Sequence, residues 1–353
     1  MQAITSASTA KLPLLQQTGT LVVMASSSLS VVLLLCLASA VSAQLSSTYY
    51  DKSCPSALSK IQAGVAAAVA SDRRMAASLL RLHFHDCFVQ GCDASVLLNE
   101  TSVGGNERGA FGNVGSLRGF AVIEQIKKDV EAVCKKPYSN NGPVVSCADI
   151  LAVAARDSVV ALGGPSWEVK LGRRDSTTAS VAQANQDLPP PFLDVAGLNA
   201  SFAGKGFSLT EMVALSGAHT IGMAQCQNFR GRLYNEPNIN TTYATKLKLN
   251  CPTSGGNTNL APLDDDTATP PNPDLFNNDF FINLQSEKGL LHSDQVLYNA
   301  TAPAGATEGI VNGFASSQAA FFSAFASAMV KMANLSPLTG SQGQVRTVCS
   351  IPN

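Results

Sequence analysis

Apolar residues recur at every third or fourth position along most of the chain, and that spacing predicts helices over 56–70, 73–88, 116–134, 146–162, 208–219, 222–234, 277–288 and 310–333. Ser208-Leu-Thr-Glu211 has the form of a capping box, in which the serine oxygen accepts a backbone N–H and the glutamate accepts one in return, so a helix starts there. Its apolar face is Leu209, Met212, Val213 and Leu215. Strict alternation is confined to Ser166-Trp-Glu-Val-Lys170, which reads as one side of a small ribbon. The proline-rich pieces 189–191 and 270–273 are loops, because proline supplies no backbone donor. There is no internal repeat and no linker-like stretch, so the expected fold is all-α with minimal β-structure.

Residues 1–43 stand apart from this pattern. They carry one charge, Lys11, and an apolar run, Val31-Val-Leu-Leu-Leu-Cys-Leu-Ala-Ser-Ala40, too short to span a bilayer comfortably. Val41-Ser-Ala43 follows with the small residues that signal peptidase accepts, so 1–43 reads as a removed signal peptide and 44–353 as the folded domain, with Met24 an alternative start. A membrane anchor is the other reading, but the next segment is polar and no basic stop-transfer cluster follows. With a net charge of −1, nothing favours nucleic acid or an anionic membrane as partner. Removing Cys36 with the leader leaves Cys54, Cys87, Cys92, Cys134, Cys147, Cys226, Cys251 and Cys349. An even set in an oxidising compartment reads as disulfides, though spacing does not choose among the many pairings. A zinc site competes weakly, with 4 histidines and no pair of CxxC motifs. Sequons at Asn99, Asn199, Asn240, Asn299 and Asn334 fit glycosylation in the same compartment.

Three places carry candidate chemistry. In Arg81-Leu-His-Phe-His85-Asp-Cys-Phe88, Arg81 and His85 are one helical turn apart and share a face, while His83 points elsewhere. A guanidinium beside an imidazole disfavours its protonation, which makes His85 a candidate general base; a polar surface pair is the plainer alternative, and Leu79, Leu80, Leu82 and Phe84 argue against it. His219, in Ser216-Gly-Ala-His-Thr220, ends the capped helix, where a histidine is either a packing residue or a metal ligand. Haem iron is often held by one such histidine, small neighbours would let a flat macrocycle approach, and Asp294 is a candidate acceptor for the second ring nitrogen. Around the Cys87–Cys92 loop, Asp86, Asp93 and Ser95 offer hard oxygen ligands and Val89 and Gly91 carbonyls; this suits calcium, or is an acidic turn.

Taken together, these strings resemble the class III secretory plant peroxidases. The resemblance runs from Gln44 to Cys349 and includes Tyr50-Asp-Lys-Ser-Cys-Pro55, Arg81 to Phe88, Gly91-Cys-Asp-Ala-Ser95, Val145-Ser-Cys-Ala-Asp149, Gly163-Gly-Pro-Ser-Trp167, Leu171-Gly-Arg-Arg-Asp175, Ala214 to Thr220 and Gly289-Leu-Leu-His-Ser-Asp294. It implies two helical lobes with haem b between them, His219 on the iron and Asp294 bonded to His219. It further implies His85 as acid/base, Arg81 as charge stabiliser and Asn113 as the group orienting His85. Pro189 would offer its carbonyl to a donor, and Phe84 would restrict access to the iron. The implied bridges are Cys54–Cys134, Cys87–Cys92, Cys147–Cys349 and Cys226–Cys251, and Asp149 with Arg173 is the implied structural ion pair. A distal calcium would use Asp86, Val89, Gly91, Asp93 and Ser95, with Glu107 through water. The implied activity is reduction of hydrogen peroxide with one-electron oxidation of small phenolic donors by a secreted, apoplastic monomer. The family's roles span lignin and suberin formation, peroxide removal, auxin catabolism and stress response.

The departures gather at a second, proximal calcium. Thr220, Asp266 and Thr269 match the family's ligand run, but extra residues precede Phe276, and Asn277 stands where an aspartate is expected, so a weaker or distorted site is expected. The stretch between Cys134 and Cys147 is longer than in many relatives and reads as a surface loop. Two other classes compete: a metal-dependent hydrolase, which needs about three protein ligands together, and a catalytically silent binder, whose signature would be loss of Arg81 or His85. Both residues are present.

Overall fold

The computed structural model describes residues 45–99, 105–134, 142–265, 274–299 and 305–353. The expected leader 1–43 and the calcium candidates Asp266 and Thr269 lie outside them. Leu45–Asn353 forms one unit. Its helices are α1 (Ala57–Ser71), α2 (Arg74–Phe88), α3 (Phe120–Cys134), α4 (Cys147–Ala161), α5 (Val181–Asp187), α6 (Val195–Gly204), α7 (Leu209–Ser216), α8 (Cys226–Asn235), α9 (Thr241–Lys248), α10 (Asp279–Gln285), α11 (His292–Gln295), α12 (Glu308–Ser316) and α13 (Gln318–Met332). Short 3₁₀ turns occupy Ser95–Leu97, Glu107–Gly109 and Gly217–Thr220.

One group of helices is built on α4, which is buried along nearly its whole length and packs against α2 and α1, with α3 closing on α1. A second group sets α7 against α13 and α10 against α12. Its centre is a set of aromatic rings: Phe276, Phe281, Phe314, Phe321 and Phe325 lie at centroid separations of 4.9 to 6.0 Å. Gly217, at the end of α7, has to be glycine for this packing, since a Cβ there would come within 2.5 Å of Phe321. Of the small residues before His219, it therefore serves the aromatic core, while Ser216 and Ala218 face the cavity described below. A separate, smaller core beneath α8 and α9 collects Phe229, Leu233, Tyr243, Leu247 and Leu291.

The capping box forms as the sequence requires: Ser208 Oγ accepts from Glu211 N at 3.2 Å, and Glu211 Oε2 accepts from Ser208 N at 2.7 Å. Four expectations shift. The ribbon is not at Ser166–Lys170, where Trp167 and Val169 are buried and Glu168 and Lys170 exposed in alternation but no partner strand is present among the described residues. The antiparallel pair is instead β1 (Met223–Gln225) with β2 (Leu260–Pro262), in register Ala224 with Ala261, so the helix expected from 222 begins at Cys226. The helix expected over 116–134 begins at Phe120, because Gly119 takes a φ of 99° that no helical residue adopts. The span 310–333 is broken at Ser317, an extended residue whose hydroxyl caps α13 by accepting from Ala320 N at 3.2 Å.

Disulfides join Cys54–Cys134, Cys87–Cys92, Cys147–Cys349 and Cys226–Cys251, the same pairs that the resemblance implies. Asp149 and Arg173 are fully buried and meet at 2.8 Å; Asp149 also accepts from Tyr50 Oη at 2.8 Å and Gly172 N at 2.7 Å, and Arg173 donates to the Ala333 carbonyl. Such a network ties α4 to the end of α13 and offsets the cost of removing both charges from water.

Candidate active site

Between the two helix groups lies a cavity of about 920 Å³, within the range of pockets that enclose a large ligand. α2 brings Arg81, Phe84 and His85 to its lining, and the turn after α7 brings Ala218 and His219. Leu80, Leu188, Phe202, Leu215, Phe325 and Met329 supply apolar lining. Arg74, Ser78, Arg118 and Gln225 make one part of the rim polar.

Each of the two histidines has one ring nitrogen engaged. His85 Nδ1 lies 2.6 Å from Asn113 Oδ1, and Asn113 is itself fixed because its Nδ2 donates to the Glu107 carbonyl at 2.8 Å. The amide oxygen can only accept, so His85 carries its proton on Nδ1 and presents a bare Nε2. Burial pushes the imidazole well below its ordinary pKa and Arg81 adds to the effect, while the bond to Asn113 opposes it. Burial is the larger cause, where the sequence alone had pointed to the guanidinium. Arg81 donates through Nη2 to the Gly112 carbonyl at 2.8 Å and Ser116 Oγ at 3.2 Å, and burial brings its pKa down to about 10, leaving it charged at neutral pH.

In the turn after α7, His219 Nδ1 lies 2.8 Å from Asp294 Oδ1. Asp294 is 2 % exposed and its other oxygen accepts from Leu291 N at 3.2 Å. Burial lowers the His219 pKa, but the Asp294 charge and hydrogen bond outweigh it and leave the imidazole above its ordinary value. An imidazole donating Nδ1–H to a buried carboxylate is a strong electron donor through Nε2. Two histidines with opposed roles, facing one largely apolar slot with a cationic edge, fit a flat iron porphyrin whose carboxylates lie at the rim.

The carboxylate cluster lies on the side of α2 away from this slot. Asp86, Ser95 and Glu107 are fully buried and Asp93 nearly so, and among the described residues Asp86 Oδ1 and Glu107 Oε2 have no hydrogen-bond partner. Burial, with mutual repulsion, raises Asp86 well above the usual carboxylate range; burial alone does most of the work in raising Asp93 to about 6 and Glu107 to about 8. The Val89 and Gly91 carbonyls each accept one backbone bond, at 2.7 and 2.9 Å, and keep a lone pair free. Gln90 and Ala94 sit in this loop with φ of 63° and 60°, conformations that cost side-chain-bearing residues free energy. Orphaned buried carboxylate oxygens of this kind fit a hard cation, whose charge would return the carboxyls to their ionised form. Thr220 differs: its hydroxyl donates to Asn277 Oδ1 at 2.7 Å, so these two residues satisfy one another.

Comparison with known proteins decides the family. The peroxidase family model matches residues 61–317. The chain is 60% identical over 330 residues to peroxidase 70 of Zea mays, covering 92% of this chain and 98% of that one. It is also 60% identical to peroxidase 2 of Oryza sativa subsp. japonica over 331 residues, covering 93% and 99%, and to a peroxidase of Triticum aestivum over 328 residues, covering 93% and 98%. This chain belongs to the plant peroxidase family.

As a haem peroxidase it acts on hydrogen peroxide and donor substrates, and the mouth of its cavity holds residues that the sequence reading passed over. Phe111 is 89% exposed and Phe192 71% exposed, both on the cavity rim beside Pro189, Pro190 and Pro191. Their signal was a phenylalanine in each of two otherwise loop-forming strings, Ala110-Phe-Gly-Asn113 and Pro189-Pro-Pro-Phe192, with no helical face to bury it. Among the described residues no helix is long and apolar enough to cross a membrane.

Proposed function

We propose that this peroxidase cleaves hydrogen peroxide with His85, Arg81 and Asn113 on the wall of the cavity formed by α2, while His219 and Asp294 hold the cofactor from the other side. The observation that carries this reading is the pair of histidines that line one cavity from separate elements, each with Nδ1 engaged by a different kind of partner. When bound, haem would supply storage for the two oxidising equivalents taken from peroxide, which are discharged as two donor molecules give up one electron each. His219 would hold the iron through Nε2, and the rim residues Arg74, Ser78 and Arg118 would meet the haem carboxylates. His85 Nε2 takes the proton from peroxide and passes it to the departing oxygen, a task for which a neutral, buried imidazole is suited. Arg81, fixed by Gly112 and Ser116, stabilises negative charge on that oxygen without having to reorganise. Asn113 keeps His85 in the tautomer that leaves Nε2 free.

The donors are small phenols that dock at the mouth against Phe111 and Phe192, with their hydroxyl accepted by the Pro189 carbonyl. Phe84, ring to ring with Phe88 at 4.3 Å and edge-on to His85 at 5.4 Å, narrows the inner part of the cavity so that electrons are taken at the edge. Calcium would be held by Asp86, Val89, Gly91, Asp93 and Ser95, with Glu107 acting through water, and the unpartnered Asp86 Oδ1, Ser95 Oγ and Glu107 Oε2 support that reading. The second, proximal ion draws support from Thr220 alone among the described residues, and that hydroxyl is already bonded to Asn277. The apolar leader and the disulfides support a protein exported to the plant cell wall.

His85→Leu tests the reading, because His219 and the haem slot are untouched. Stopped-flow spectroscopy of the haem-loaded variant should give a peroxide reaction slower by about 10²–10⁴-fold with unchanged haem content. An unaltered rate would remove His85 from the chemistry.

A further inference from the structure

Behind the Asp86 to Glu107 cluster, the last segment of the chain brings up a buried cation that neither the cavity nor the ligand set employs. Arg346 has no solvent exposure. Its Nη1 donates to the Cys349 carbonyl and its Nη2 to the Ala94 carbonyl, each at 2.6 Å, while Nε has no hydrogen-bond partner and stands 3.8 Å from Asp175 Oδ2. Asp175 is fully buried too, accepting from Ala148 N at 2.9 Å and from Arg346 N at 2.8 Å, and it exchanges backbone bonds with Gln344 at 2.7 and 2.9 Å.

Ala94 is the point of contact. It lies between the ligand residues Asp93 and Ser95 in the left-handed region, and its N–H goes to Asp86 Oδ2 at 3.0 Å. One residue of the ion loop is thus gripped by a ligand carboxylate through its amide and by the guanidinium through its carbonyl. The Ser176 amide donates to the Asp93 carbonyl at 2.8 Å and ties the preceding residue of the loop to the same scaffold. The charged groups within electrostatic reach of Arg346 include the acids Asp175, Asp86, Asp93, Glu124 and Glu107, with Lys127 a further cation that they outnumber. A guanidinium held among carboxylates partly compensates them in the absence of a metal, and the same fixed charge repels a divalent ion that enters.

We propose that Arg346 is a resident cation of the distal ion site: it steadies the Ala94 turn and the ligand carboxylates when calcium is away, and it limits how tightly calcium is held. This rests on the calcium reading above. Calcium removal therefore leaves a folded loop ready to rebind, and affinity is limited by a residue some 260 positions away in sequence, since Asp86 to Arg346 spans nearly the whole domain.

The test is titration of calcium into chelated, haem-loaded protein by calorimetry, with melting temperatures recorded in calcium and in excess chelator. Any second ion contributes equally to every variant. Arg346→Gln should bind calcium on the order of tenfold more tightly while its calcium-free form melts lower, so the calcium-dependent rise in melting temperature grows. Arg346→Lys keeps the charge but not the fork that grips the two carbonyls, so it should bind calcium less tightly than Arg346→Gln. Asp175→Asn leaves the guanidinium less neutralised and should weaken calcium several-fold; it serves alone if Arg346→Gln does not fold. Equal or weaker calcium binding in Arg346→Gln, or an unchanged affinity in Asp175→Asn, would overturn the inference while leaving the ion site standing. A parent protein that takes up no calcium would overturn both.

Discussion

His83 plays no part in the chemistry proposed here, yet it should govern how the protein fails in acid. It sits on α2 between Arg81 and His85, is 1% exposed, and faces the Cys87 sulfur at 3.6 Å. Burial, helped by the Arg173 charge, pushes its pKa from 6.5 down to about 3. The folded imidazole therefore stays neutral while the unfolded one takes a proton, so the unfolded state binds more protons as the pH falls below the ordinary histidine value. Stability from this residue is complete above about pH 6.5 and is lost progressively toward about pH 3. At about pH 5 the loss is about 2 kcal/mol, from a proton that the unfolded chain binds and the folded chain refuses. For a domain of this size that corresponds to about 4 °C in melting temperature. His83→Leu removes the titration and keeps the apolar volume. Melting curves of both proteins, taken in excess chelator between about pH 7.5 and pH 5, should diverge by that amount as the pH falls, the variant losing less. His85 and the raised carboxyls titrate too, but they do so in both proteins and cancel in the difference. Two curves that run parallel across the range would refute the reasoning.

Asp294→Asn should leave the cavity intact but weaken the donor power of His219; haem affinity should fall about 10–100-fold and the ferric/ferrous midpoint potential should rise, measured by haem transfer and spectroelectrochemistry. Replacing Phe111 and Phe192 together with alanine should raise KM for a phenolic donor several-fold and leave the rate of reaction with peroxide unchanged, since neither ring touches the His85 wall; steady-state and stopped-flow rates separate the two. Asp149→Asn strips a fully buried Arg173 of its counter-charge and should cost about 3–5 kcal/mol in denaturant unfolding, with the haem spectrum of the surviving folded fraction unchanged.

Much of this was legible in the chain because the deciding signals were local. The four-residue step from Arg81 to His85 fixes a shared helical face wherever the helix lies, and Ser208 with Glu211 marks the start of α7 without help from the rest of the fold. What escaped were elements whose stability comes from neighbours. α6 contains two glycines and little amphipathic pattern; the mark it does carry is Asp194, whose carboxylate accepts from Gly197 N at 2.7 Å. α5 and α9 are announced in the same way by Ser180 and Asn240, caps that a reading by hydrophobic spacing passes over. The alternation at Ser166–Lys170 correctly marks a stretch with one buried side, but alternation says nothing about whether a partner strand exists. His85's depressed basicity was credited to Arg81 because charge can be read from a string of letters, whereas burial, the larger cause, is a property of the assembled helices.

α2 presents Arg81 and His85 to the haem slot and, one residue on, Asp86 to the ion loop. Two chemistries therefore share a single turn and a single rotational setting. Inserting or deleting one amino acid between Arg81 and Asp86 would swing one side of the helix by about 100° against the other. A change between Arg81 and His85 would part those two side chains, and one between His85 and Asp86 would turn both away from the ion loop, so every change in spacing here breaks one of the two arrangements.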